Sequence, residues 1–157
     1  MNLKPHEGFT FLELVIVMAI GLVLVGFGSQ IYGNLQPSTQ ISRISSEILQ
    51  ATRTAKSKSV ARENNAAHGI FFDTTANSFT LYQGATYATR NSSFDLTTTL
   101  GGSLSLTTAL TGSGDADDVN FSTGLGTPNK TGTITVTHDT VGTKTISINS
   151  LGLIEGN

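Results

Sequence analysis

The sequence predicts an α+β protein in which a long N-terminal helix, apolar in its first half and amphipathic in its second, packs against a small antiparallel β-sheet head. Three observations carry this expectation. Residues 8–27 are apolar except for Glu13, residues 38–63 repeat Ile41, Ile44, Ile48, Ala51 and Ala55 at three- and four-residue steps, and beyond residue 66 the pattern changes to alternation. A chain of 157 residues has room for one domain plus one extended element.

The first element is the apolar run. From Phe9 to Phe27 it would measure about 28 Å as a helix, close to the roughly 30 Å hydrocarbon core of a bilayer. Apolarity on every face separates it from an ordinary core helix, which keeps a polar side. Lys4, ahead of the run, favours an N-terminus in the cytoplasm by the positive-inside bias. Glu13 is the anomaly. A carboxylate near the middle of a bilayer costs about 2.5–3.5 kcal/mol on insertion scales, so it calls for a neutralising partner. Hydrolysis after Gly8 would supply one, since Phe9 would then carry a free α-amino group, whose pKa in water is roughly 7.7–8.0. Two other readings exist: an uncut membrane anchor, and a secretory signal ending at Gly26-Phe27-Gly28. The second requires a clearly positive leading segment, whereas here Lys4 is set against Glu7 and Glu13.

Gly21, Gly26, Gly28 and Gly33 punctuate the helix, and Pro37 removes one backbone donor, so a weak point or kink is expected there. The second stretch then forms one narrow apolar stripe that needs a cover. Asn64-Asn65 is the expected stop, because asparagine tolerates the left-handed conformation used at helix ends. Arg43, Arg53, Lys56, Lys58 and Arg62 make this stretch basic. At 100° per residue they point around most of the circumference, whereas a nucleic-acid footprint gathers on one face. A solvated helix meeting acidic surfaces fits better, and from Ala66 onward there are seven Asp or Glu against three Lys or Arg.

The head follows. His68 to Asp73 and Ser78 to Tyr82 read as a hairpin around Thr74 to Asn77. Thr133 to Thr137 and Thr145 to Asn149 place aliphatics on one face and hydroxyls on the other, joined by a turn containing Gly142. Phe94 to Thr99, Ser103 to Leu106 and Asp118 to Ser122 are weaker strands between glycine-rich turns. One wet and one dry face favour antiparallel sheet laid against the Ile41/Ile44/Ile48 stripe.

Reactive chemistry is sparse. The chain has no cysteine, which excludes disulfides and thiolate metal sites. His68 and His138 lack the spacing of metal ligands, and the neighbouring side chains of His138 and Asp139 should diverge on a strand. Gly112-Ser113-Gly114 lacks the strand-to-helix setting of a nucleophile elbow. An enzyme is therefore not expected, and no catalytic residue is assigned. One loop could hold an ion: Asp115, Asp117 and Asp118 could offer oxygen ligands to calcium, although the distal acid of an EF-hand is missing and a solvated acidic turn fits as well. Asp118-Val119-Asn120-Phe121-Ser122 also matches an extended bacterial glycosylation sequon. The net charge of −2 names no partner.

Gly8-Phe9-Thr10-Phe11-Leu12-Glu13-Leu14, followed by Val15 to Ile20, resembles the prepilin signature of type IV pilins and type II secretion pseudopilins. The resemblance implies cleavage by a prepilin peptidase between Gly8 and Phe9, N-methylation of Phe9, and pairing of Glu13 with the new amine as subunits enter a filament. Phe11 departs from the commoner leucine, and the leader is only weakly basic. The missing cysteines lean toward a pseudopilin or minor subunit, because many type IV pilins close a C-terminal loop with a disulfide. A looser resemblance, to the GspH/FimT pseudopilins, rests on Ala61 to Asn65, Gly69 to Asp73 and Lys144 to Gly152. Some FimT-like proteins carry arginines after the terminal glycine for DNA uptake; here Leu153, Ile154 and Glu155 follow Gly152, which disfavours nucleic acid as a partner.

The expected organisation is a leader at 1–8, a transmembrane and assembly half of the helix at 9–31, its amphipathic second half at 32–65, and a β-rich head at 66–157. The expected function is a non-enzymatic minor pseudopilin of type II protein secretion, without a cofactor unless calcium binds. Its implied partners are the prepilin peptidase, other pilin or pseudopilin subunits and an inner-membrane assembly platform. The expected location is the inner membrane, single-pass with the head outside, and then a periplasmic or cell-surface filament. Two alternatives stay open: a minor or major pilin for adhesion, motility or DNA uptake, and an anchored surface-binding module that never polymerises.

Overall fold

The computed structural model describes residues 9–115 and 117–157, with the side chains of residues 26–35 outside the description. The expected leader, Gly8 included, therefore lies outside the described residues. The chain divides into two units, Met1–Gln36 and Pro37–Asn157.

Helix α1 runs from Phe11 to Val60, 50 residues, with Pro37 inside it. The proline removes one amide donor but does not end the helix. Within the first unit, large apolar residues from Phe9 to Val25 are exposed. Among the described residues no helix is long and apolar enough to cross a membrane. The run expected to do so, Phe9 to Phe27, extends into residues whose side chains are outside the description.

In the second unit the expected stripe is the seam of the core. Ile41, Ile44, Ile48 and Ala55 are buried, and Ala51 packs against them. The seam also includes small hydroxyl residues that apolar periodicity could not reveal. Thr52 is buried with its hydroxyl donating to the Ile48 carbonyl at 2.7 Å, which satisfies it within its own helix. Ser59 is buried too, its Oγ accepting the His68 amide at 2.8 Å and tying the last turns of α1 to the first strand.

The α-helix ends at Val60, four residues before the expected stop at Asn64. Arg62 adopts a left-handed φ of 56°, and a short 3-10 turn, Glu63–Asn65, follows. Asn64 and Asn65 are left-handed as well, so the asparagines turn the chain after the helix has already ended.

Eight strands follow among the described residues: β1 His68–Asp73, β2 Ser78–Gln83, β3 Leu96–Thr99, β4 Leu104–Gly112, β5 Asp118–Phe121, β6 Lys130–His138, β7 Gly142–Ile148 and β8 Ile154–Gly156. They form two four-stranded sheets, in the orders β3-β2-β1-β5 and β4-β6-β7-β8, with every pairing antiparallel. The β1–β2 turn is built by Asp73, whose Oδ1 accepts the amides of Thr75 and Ala76, and closed by left-handed Asn77. Ile70 and Phe72 from β1, Val119 and Phe121 from β5, and Ile134, Val136, Ile146 and Ile148 from the second sheet join the helix seam in one core.

Candidate functional site

The segment expected to carry function begins at Phe9, which is described and exposed. Thr10 precedes the helix: its carbonyl accepts the Leu14 amide at 3.2 Å, and its Oγ1 accepts the Glu13 amide at 3.2 Å. Thr10 is thus the N-cap and Glu13 occupies the third helical position, the two ends of a Thr-x-x-Glu capping sequence. The sequence signal for this placement is a Ser/Thr three residues before an acid at the head of an apolar run. Glu13 therefore sits in the first turn, where the positive end of the helix dipole favours an anion. Around it Phe11, Leu12, Leu14, Val15, Ile16, Val17 and Met18 are each about half exposed or more. An apolar cylinder of this kind is unstable in water and calls for lipid tails or other helices around it.

On the head, the three candidate calcium carboxylates are not brought together. Asp118 opens β5 almost fully buried, its Oδ2 accepting the Tyr82 hydroxyl at 2.7 Å and its Oδ1 lying 3.5 Å from the Lys130 ammonium, also buried. Asp117 accepts a hydrogen bond from the Thr108 hydroxyl, and Asp115 is exposed. Among the described residues no three His, Cys, Asp or Glu side chains are grouped to hold a metal ion. Burial and the neighbouring carboxylate push the Tyr82 hydroxyl well above its ordinary range, with the Asn120 amide opposing. Asn120, the residue of the glycosylation sequon, is buried and its Nδ2 donates to both the Tyr82 oxygen and the Gly84 carbonyl. That is a correction to the sequon, because a glycan acceptor must be exposed with its amide free.

The basic residues of α1 are also more engaged than expected. Arg43 pairs with Glu47 at 3.5 Å and Lys58 with Glu63 at 2.6 Å. Arg53 donates to the Ile154 carbonyl at 3.0 Å, and Lys56 to the Gly152 carbonyl at 2.8 Å. Two of the five cations expected to be solvated thus tie down the C-terminal segment, which forms β8, a strand the alternation pattern did not reveal. The Lys58 partnership holds the Glu63 carboxyl below its ordinary range.

His68 and His138 lie in different sheets. His138 is buried at the end of β6, its Nδ1 accepting the Thr140 amide at 3.2 Å. His68, at the start of β1, is 3% exposed. Burial holds its imidazole below the ordinary range, Lys58 adds to this, and Glu63 and a backbone hydrogen bond at Ala66 oppose it.

Comparison with known proteins finds agreement at both ends of this description. The family described as the prokaryotic N-terminal methylation motif matches residues 3–29, a span that includes Gly8, Phe9 and Glu13. Among solved structures the chain is similar to the minor pseudopilin EpsH from the type 2 secretion system of Vibrio cholerae. That likeness covers 75% of this chain and 96% of EpsH, with a TM-score of 0.57 at 13% identity, which speaks for the fold. A comparison with curated protein sequences finds no match.

Proposed function

From membership of the pilin and pseudopilin superfamily, which the N-terminal motif and the fold together support, we propose that this chain is a minor pseudopilin of type II protein secretion. The coarser role, a pilin-like structural subunit of a type IV pilus or pseudopilus, has the same two supports. The observation that carries the proposal is the exposed apolar first half of α1, interrupted by one carboxylate at Glu13 and preceded by Gly8-Phe9.

The mechanism is physical. The apolar helix holds the subunit in the inner membrane with the N-terminus toward the cytoplasm and the head outside. A prepilin peptidase cuts after Gly8 and methylates Phe9, whose amine then stands four residues from Glu13. A methylated amine keeps its positive charge. During extraction into a filament, the apolar helix exchanges lipid for the helices of other subunits. Glu13 is dehydrated in that step, and the amine at a neighbouring N-terminus is the charge that offsets the cost. An inner-membrane assembly platform supplies the extraction. The likeness of the head to a type II secretion pseudopilin favours secretion over a pilus used for adhesion, motility or DNA uptake.

The test is Glu13→Ala in the native host, with Glu13→Gln beside it. Membrane insertion and processing are expected to continue, while incorporation into sheared filaments falls at least tenfold for both variants. Unchanged incorporation contradicts the role given to Glu13 and favours an anchored module that does not polymerise.

A further inference from the structure

Where the C-terminal end of α1 meets the segment leading into β8 lies an open cavity of about 350 Å³, lined by Arg53, Lys56 and Val60 from the helix and by Gly152, Leu153 and Ile154 from the segment. Clefts that hold ligands measure about 300–1,000 Å³, so it is large enough to receive part of another molecule. Among the described residues from Val60 onward, six large apolar side chains are exposed, and four of them, Val60, Leu125, Leu151 and Leu153, gather here. Leu125 is 79% exposed and Leu151 80%. Single apolar residues are ordinary on a surface, whereas a cluster around a cavity marks a place of contact.

Local structure explains the gathering. The Gly124 amide donates to the Ser59 carbonyl at 2.8 Å, and Gly126 sits so close to the helix that an added Cβ would stand 2.5 Å from Val60 Cγ2. Leu125, between these two glycines, is thereby fixed beside the end of α1. At Gly152 an added Cβ would stand 2.9 Å from the Gly126 carbonyl oxygen and 3.1 Å from Lys56 Nζ, so the two loops touch.

The cluster is also cationic. Arg53 and Lys56 donate to the carbonyls of Ile154 and Gly152, neutral acceptors that leave the positive charge uncancelled. Arg62 lies against Gly124, where an added Cβ would stand 2.9 Å from its Nε. Among the described residues none of these three cations belongs to an ion pair. Two carboxylates belong to the same region. Glu63 is engaged by Lys58, and Glu155 lines the neighbouring cavity with Arg53. With the Lys58–Glu63 pair set aside, three cations stand against one carboxylate.

We infer that this face docks a partner polypeptide through a segment that combines acidic side chains with large aliphatic ones. The aliphatic side chains would cover the exposed leucines, and the carboxylates would meet the uncancelled positive charge, which steers the encounter and selects the partner. Nucleic acid fits less well, because single strands stack on aromatic rings and the cluster is aliphatic. A lipid surface fits less well too, since the leucines border a cavity that a protruding chain fills better than a flat sheet of headgroups. The inference concerns the head and does not depend on Glu13, so the experiment above neither supports nor removes it.

The test uses the full chain in zwitterionic nanodiscs and fluorescence anisotropy of a labelled eight-residue peptide of alternating leucine and glutamate, with empty nanodiscs as the blank. Saturable micromolar binding is expected, at least tenfold tighter than for peptides with glutamine or lysine in place of glutamate or serine in place of leucine. Raising salt from about 50 to 500 mM should weaken it several-fold. Leu125→Ser with Leu151→Ser, at two exposed positions outside the core, should weaken it at least tenfold, and Arg62→Gln about threefold. Circular dichroism melting of these variants should match the parent. No saturable binding, equal binding of the glutamine peptide, or undiminished binding in the double variant would each overturn the proposal. So would tighter binding of oligothymidylate or of phosphatidylglycerol vesicles than of the acidic peptide.

Discussion

Asp118 and Lys130 form the most consequential polar contact of the head, because both are almost wholly buried and they join β5 to β6. A buried ion pair adds little net stability over an apolar substitute, yet removing one partner leaves an uncompensated charge. Lys130→Met should therefore destabilise the head by about 3–5 kcal/mol, measured as the shift in urea midpoint of the full chain in micelles. Adding Asp118→Asn, which removes the stranded charge, should recover part of the loss. His68 makes a different prediction. Its folded-state pKa lies below the unfolded value of roughly 6.5, so the unfolded chain binds more protons in that window and stability rises with pH. Stability from this group is fully present above about pH 6.5 and is lost as pH falls through the lower folded value. Glu63, also depressed, acts in a separate window below the ordinary carboxylate range. Urea midpoints taken from pH 7.5 to 5 should fall for the parent chain and fall less for His68→Gln.

Among the elements, the second half of α1 is the one on which the sheets depend. Ile48 is fully buried in the seam, so Ile48→Ala should cost about 2–5 kcal/mol through the lost contacts and the cavity left behind, read by the same denaturation. Gly132 sits within β6 at φ 140°, and an added Cβ would strike the Ala109 carbonyl of β4. Gly132→Ala should therefore cost at least about 1–3 kcal/mol from backbone strain alone, and circular dichroism melting would register it. This pattern explains how much the sequence could reveal. Isoleucines at helical spacing and the Thr/Ile alternation of β6 and β7 report burial through hydrophobicity, so the seam and that hairpin were legible. Thr52, Ser59, Lys130 and Asp118 are buried polar groups that apolar periodicity passes over: Thr52 is satisfied by the carbonyl one turn back, whereas Ser59, Lys130 and Asp118 meet partners on other elements. The full length of β4 and the whole of β8 carry weak local signals for a related reason. Beyond Leu106, β4 alternates exposed Thr107, Ala109 and Thr111 with only half-buried Thr108 and Leu110, and three-residue β8 is held by Arg53 at Ile154, with Lys56 fixing Gly152 just before it, across roughly a hundred positions of sequence.

At the scale of the whole molecule, two kinds of surface coexist in one chain. The head gathers most of its large apolar residues into a core of its own, whereas the large apolar residues described from Phe11 to Val25 of α1 are exposed. Such a surface calls for cover from outside the chain, lipid tails or other helices. Glu13 is legible in the sequence as a charge out of place, and the Thr10-x-x-Glu13 spacing carries the signal for its position in the first helical turn, which the backbone shows. Assembly as proposed depends on an amine being created close to that acid. The most direct measurement is mass spectrometry of the N-terminal peptide of the chain recovered from native membranes or filaments. The expected result is a polypeptide that begins with N-methylated Phe9. A polypeptide that begins at Met1, or at Ser29 after removal of the whole apolar run, would contradict it.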